Sequence, residues 1–227
     1  MSLLVQLPVP VFQIHSSLRT DRAALTDVWT RQHGVNVNHF EATMDANGRR
    51  GCALSHKGLA KSQTGVYLVL EDDAVPTRHV FDDVVGLADL LDAIRKEAFD
   101  VIYLGGLPMF RHTSTPWTSL QSGACWCTHA MIVGERGREW FAAHEFNETP
   151  IDVELASAAL RFAWTRHEWF AQAPGASDVN RSTLTRSALF QTALTYVHPA
   201  WRAFVLHRFV SCVLLMVLAF FMIYCCY

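Results

Sequence analysis

The sequence has little lysine, no run of basic residues, no internal repeat and no low-complexity stretch. Lysine and arginine together number 19 against 21 aspartates and glutamates, a formal charge of −2. That balance offers no electrostatic footprint for a nucleic acid, so none is expected as a partner. Charged residues make up only 18% of the chain and apolar ones 51%, which excludes a disordered protein. Six cysteines in 227 residues are too few for a disulfide scaffold. Cys212, Cys225 and Cys226 fall in an apolar C-terminal run, leaving Cys52, Cys125 and Cys127 to be read as free thiols of a reducing compartment.

That run, FVSCVLLMVLAFFMIYCCY from Phe209 to Tyr227, carries no charged side chain. As a helix its 19 residues would extend roughly 29 Å, the thickness of a bilayer's hydrocarbon core. Trp201 before it and Tyr224 and Tyr227 at its end are the rings expected at membrane interfaces. Arg202, His207 and Arg208 precede the run, and by the positive-inside bias they keep the preceding domain in the cytosol. The chain therefore reads as residues 1–197, one α/β domain, followed by a tail anchor over 198–227 that holds it to a membrane as a single-pass protein. The N-terminus has no basic segment, and Pro8 and Pro10 break its short apolar run, so a strand fits it better than a signal peptide. The glycosylation sequon Asn180-Arg181-Ser182 would stay bare in the cytosol.

Within the domain, apolar periods of two and about 3.6 residues alternate, the pattern of an α/β layer protein. Strands are predicted at 9–15, 35–40, 66–70, 100–104, 125–133 and 164–170. Helices are predicted at 21–33, 52–62, 80–96 and 135–144, and from Pro150 onward. Residues 105–122 hold two prolines and read as a long loop of the functional kind, in which Trp117 is a candidate to stack on a sugar ring.

The chemistry concentrates after VYLVL, an apolar run with the β-formers of a central strand, where Glu71, Asp72 and Asp73 follow one another. Three adjacent carboxylates repel unless a cation or hydrogen-bond donors offset them. A period of two would put Glu71 and Asp73 on one side and Asp72 on the other. Such oxygen ligands suit Mg²⁺ or Mn²⁺, and ligands of open α/β sheets gather at the carboxyl ends of strands. A solvated acidic turn, or a cap for the next helix, is the alternative. Gly51-Cys52-Ala53-Leu54-Ser55-His56 is expected to open a helix, where backbone N–H groups and the Ser55 hydroxyl would hold phosphate or ribose oxygens, unless Ser55 and His56 only satisfy nearby carbonyls. Cys125 and Cys127 have no second Cys/His pair and read as core rather than zinc ligands. Asp152, after Pro150, is either a helix cap or a general base.

In order, these segments resemble family-25 glycosyltransferases, the lipooligosaccharide and collagen β-galactosyltransferases. The resemblance rests on Asp21-Arg22, Gly51 to His56, Leu70 to Asp73, Asp100 to Gly105, Thr128-His129-Ala130 and Pro150-Ile151-Asp152. It covers roughly residues 10–180. It implies a GT-A-like nucleotide-sugar-binding sandwich around a mixed, mostly parallel sheet, and inverting transfer of a hexose from a UDP-sugar to a glycan or protein hydroxyl. By this likeness Asp73 and Glu71 would bind Mn²⁺ (or Mg²⁺), and Arg22, Ser55, His56, Glu71, Asp72 and His129 would line the nucleotide-sugar pocket. Asp152 would be the catalytic base, with Glu154 and His129 as alternates. Gln13-Ile14-His15 stands where the family usually has Ile-Asn-Leu, which leaves the donor sugar open. A catalytically degenerate, membrane-tethered adaptor on the same fold is the competing reading, and a metal-dependent phosphohydrolase is a weaker third.

Overall fold

A computed structural model describes residues 2–109, 113–173 and 201. The predicted span 209–227 and the sequon at Asn180 lie outside the described residues. Among the described residues, no helix is long and apolar enough to cross a membrane.

After a 3-10 turn at Leu3–Gln6 come β1 (Val11–His15), α1 (Thr20–His33), β2 (Val37–Glu41), α2 (Gly48–Ser62) and β3 (Tyr67–Glu71). The chain continues through β4 (Ala74–Pro76), α3 (His79–Asp82), α4 (Val84–Arg95), β5 (Val101–Tyr103), β6 (Leu107–Pro108) and β7 (Thr113–Ser114). It ends with β8 (Leu120–Ser122), β9 (Cys125–Trp126), β10 (Ala130–Val133), α5 (Glu135–Ala143), α6 (Ile151–Ser157), β11 (Phe162–Thr165) and β12 (Phe170–Gln172).

Eight strands form one sheet in the order β2-β1-β3-β10-β5-β11-β8-β7. Alternate residues of its buried strands enter two cores. Leu68, Leu70, Ile132 and Ile102 face Trp29 of α1 and Leu87 and Leu90 of α4. Tyr67, Val69, Met131, Val133 and Trp164 face Leu59 of α2, Phe141 of α5 and Leu155 of α6. The molecule is thus an α/β layer structure with helices on both faces. A strand apolar at every position, such as YLVL, is what a sheet covered on both sides requires.

The sheet is mixed but not mostly parallel, as had been expected. β2, β1 and β3 run parallel, as do β5 and β11. β10 is antiparallel to both β3 and β5, and β8 is antiparallel to β11 and β7. Helical crossovers connect the parallel neighbours, a short loop joins the antiparallel pair β7 and β8, and β10 enters antiparallel between β3 and β5 after the excursion through β6 to β9. The ribbons β4–β12 and β6–β9 are antiparallel too.

Other boundaries depart from expectation for local reasons. The predicted helix 80–96 is two helices, because Asp83 leaves helical geometry and its side chain caps the second through Gly86 N at 2.8 Å. The predicted strand 125–133 is broken at Cys127, whose φ of +73° lies in the left-handed region. Residues 164–170 are split between β11 and β12, and the expected long loop contains β6, β7 and β8. Trp117 does not line the cleft described below. Its indole N–H donates to Asp92 at 2.9 Å, and its ring packs on Phe99. Trp201 rests on the domain, donating to the Pro108 carbonyl at 2.7 Å and packing against Trp126.

Candidate functional site

From β1 the chain passes through α1 to β2 on one side, then through α2 across β1 to β3 on the other. Strand order reverses at β1, and α1 and α2 cover opposite faces of the sheet. Such a switch point leaves a crevice beyond the carboxyl ends of the strands. Here it is a cleft of about 310 Å³, floored by Ile14, His15 and Ser16 at the end of β1 and by Glu71, Asp72 and Asp73 at the end of β3. The cleft brings together all eight residues singled out in the sequence: Arg22, Ser55, His56, Glu71, Asp72, Asp73, His129 and Asp152. Glu154 is not among its lining residues and instead pairs with His144 at 3.0 Å.

The three carboxylates do not alternate, because β3 ends at Glu71 and the next two residues form a turn. Each has a different environment. Glu71 accepts hydrogen bonds from His56 Nε2 at 3.0 Å and Thr128 Oγ1 at 2.6 Å. Burial raises its pKa, but the hydrogen bond and charge of His56, aided by Thr128, outweigh that and leave it below the ordinary value. Asp72 accepts from Arg22 Nη1 at 2.5 Å, yet burial still lifts its carboxyl above the usual range. Asp73 is 7% exposed. Its Oδ2 accepts from Gln172 Nε2 at 3.0 Å, while the buried Oδ1 meets no hydrogen-bond partner among the described residues. Burial, then the Glu71 charge, raise the Asp73 pKa. A buried carboxylate oxygen without a donor costs free energy that a cation would recover.

His129 adds a second unsatisfied acceptor. Its Nε2 lies 3.0 Å from the Phe170 carbonyl, which can only accept, so Nε2 is assigned the proton and Nδ1 a lone pair. Nδ1 is buried and meets no partner among the described residues. Gly105 makes this approach possible: a Cβ there would lie 2.2 Å from the Phe170 carbonyl oxygen and 2.3 Å from His129 Nε2.

Asp152 sits in the first turn of α6 rather than at its cap, which is Pro150. Its Oδ1 accepts from Val153 N at 3.0 Å and its Oδ2 from Cys127 N at 3.2 Å. The left-handed backbone at Cys127 accompanies that second bond.

Two sequence readings are corrected. The segment 51–56 does not open its helix. Asn47, four residues before Gly51, caps α2, its side chain accepting from Arg49 N and Arg50 N, so the free N–H groups expected to hold phosphate lie elsewhere. The Ser55 hydroxyl is also committed, donating to Gly51 O at 2.7 Å and accepting from Thr43 N at 2.8 Å. Asp100 lies away from the cleft, locked by Arg161 at the start of β5.

Sequence reasoning missed Gln172, which reaches Asp73 only through the β4–β12 ribbon. It also passed over Cys52. The i, i+4 spacing of Cys52 and His56 on α2 would have placed the two on one helix face.

No protein-family model matches the chain, and no curated protein matches it. An acidic cleft holds five carboxylates (Asp45, Glu71, Asp72, Asp73 and Asp152) with Arg22 and Arg49 as its permanent cations. That composition favours a ligand that brings positive charge, or an anion accompanied by a metal ion.

Proposed function

We propose that the chain is an inverting glycosyltransferase that moves a hexose from a UDP-sugar to a hydroxyl of a glycan or protein. The observation that supports it best is the unpartnered, buried Asp73 Oδ1 in the same cleft as Arg22 and Asp152. UDP as the nucleotide, and the GT-A-like reading of the fold, rest on the motif resemblance.

An oxygen ligand with no partner among the described residues fits a hard divalent ion, so Asp73 would hold Mn²⁺ or Mg²⁺; Glu71, expected beside it as a ligand, is engaged by His56 and Thr128, which leaves Asp72 as the neighbouring carboxylate. When bound, such an ion supplies charge neutralisation for the departing nucleoside diphosphate. The Arg22 guanidinium, held by Asp72, contributes permanent positive charge to the same place. Asp152 accepts the proton of the acceptor hydroxyl as its oxygen attacks the anomeric carbon. In the same displacement the sugar–phosphate bond breaks, its electron pair leaving on UDP. The Cys127 and Val153 N–H groups orient that carboxylate. His129 lines the same cleft, and its Nδ1 would accept from a sugar hydroxyl brought against it.

The test is UDP release and hexose transfer by the detergent-solubilised full chain, assayed across UDP-sugars with and without Mn²⁺. Mn²⁺-dependent turnover is expected. Asp152→Asn should lower kcat by about 10²–10⁴ while donor binding persists. Absence of both turnover and Mn²⁺-dependent UDP binding would overturn the assignment.

A further inference from the structure

Cys52, His56 and Glu71 each offer one ligand atom, and these atoms lie within 4.8 Å of one another. The first two are one turn apart on α2, and the third comes from the end of β3. All three line the cleft. We infer that this thiol, imidazole and carboxylate form a binding site for a borderline-soft divalent metal of the zinc class, with its fourth position open to the cleft. The inference shares His56 and Glu71 with the pocket of the glycosyltransferase reading but uses neither Asp73 nor Asp152, so the two can be tested apart.

The donor set decides the class of metal. Mg²⁺ and Mn²⁺ favour oxygen ligands, whereas a thiolate with an imidazole favours Zn²⁺ and its spectroscopic substitute Co²⁺. Three protein ligands plus one open position is the arrangement of zinc sites that bind water or a ligand atom. Bond lengths of about 2.0–2.3 Å put tetrahedral ligand atoms about 3.5 Å apart, so modest side-chain rotation closes the triad. The surroundings hold the ligands near that geometry. Thr128 Oγ1 fixes Glu71, and Phe141 stacks on His56 with ring centroids 5.3 Å apart.

The carboxylates of Glu71, Asp72, Asp73 and Asp152 line the same cleft, and a divalent ion offsets their negative charge. On binding, the S–H bond gives way to a metal–thiolate bond and the thiol proton passes to solvent; the His56–Glu71 hydrogen bond opens, and the ring proton moves from Nε2 to Nδ1 by exchange with solvent, leaving the Nε2 lone pair for the metal.

Co²⁺ titration of the full chain, with Cys212, Cys225 and Cys226 changed to serine to silence those thiols, tests the site. A saturable near-ultraviolet thiolate-to-cobalt band at one equivalent is expected, together with visible bands of tetrahedral intensity, all displaced by Zn²⁺. The band should vanish in Cys52→Ser and persist in Cys127→Ser. Thr128→Ala, which keeps all three ligands, should weaken binding by about tenfold and gives a readout should Cys52→Ser not fold. No band, or a band that survives Cys52→Ser, overturns the site. Asp73→Asn should keep the cobalt band while losing Mn²⁺-dependent nucleotide binding, so failure of one reading is distinguishable from failure of the other.

Discussion

Burial and the neighbouring Glu71 charge raise the Asp73 carboxyl above its ordinary pKa, so the folded chain holds the ionised form at a cost. For a group whose folded pKa is raised, the stabilising contribution is complete below the unfolded value of about 3.9. It is lost as pH rises through the folded value. Near pH 7, without metal, Asp73 therefore weakens the fold. Asp73→Asn should melt about 2–4 °C higher at pH 7, a gain on the order of 1 kcal/mol, and the difference should shrink toward pH 3. Thermal melts of both proteins across that pH range check it, and equal melting at every pH would mean that Asp73 is not penalised in the cleft. The residue was legible in the sequence because three acids directly after an apolar strand need an explanation. Its partner Gln172, 99 positions later, was not, because no local pattern announces a ribbon contact between distant segments.

At the level of elements, Asp100 does for the sheet what Asp73 does for the cleft, with the opposite sign. It is 2% exposed and stands just before β5. Its Oδ2 accepts from Arg161 N at 2.8 Å and its Oδ1 from Arg161 Nη2 at 2.7 Å, tying the start of β5 to the start of β11. Arg136 Nη1 approaches to 3.3 Å. Burial raises the Asp100 pKa, but the Arg161 bonds dominate and leave it lowered. Its stabilising contribution is thus present above about pH 3.9 and lost as pH falls through the depressed value. Asp100→Asn should cost about 2 kcal/mol at pH 7, discounted because Arg161 is half exposed, and should flatten the acid limb of the stability profile. Urea titrations at pH 7 and below pH 4 measure both effects, and an unchanged midpoint at pH 7 would remove Asp100 as a pin. The helix and strand succession was legible because amphipathic periods and capping residues are local. The sense of β10 was not, since AMIV buried on both faces reads the same in either direction. The start of α2 was misplaced for a related reason: Asn47-Gly48 is turn chemistry that here serves as a helix cap.

For the whole molecule, Trp201 is, among the described residues, a point at which the chain beyond β12 meets the domain. Its indole is held by the Pro108 carbonyl and Trp126, so residue 201 is fixed to the face carrying β6 and β9. Eight residues further on begins the uncharged run 209–227. Eight extended residues span at most about 28 Å. If that run crosses a bilayer, the β6–β9 face is held within that distance of the membrane surface. Anchoring would then rest on the apolar run alone, because a mildly acidic domain gains no attraction from anionic lipid. The full chain should therefore float with neutral and anionic vesicles alike in a density gradient, independently of salt. Deletion of 209–227 should leave it at the bottom in both. Trp201→Ala should float as the unaltered chain does while its domain is cut free faster by protease, because the contact that shortens the tether is lost. A full chain that stays at the bottom of the gradient would remove the anchor, and one that floats only with anionic vesicles at low salt would shift the attachment to surface charge.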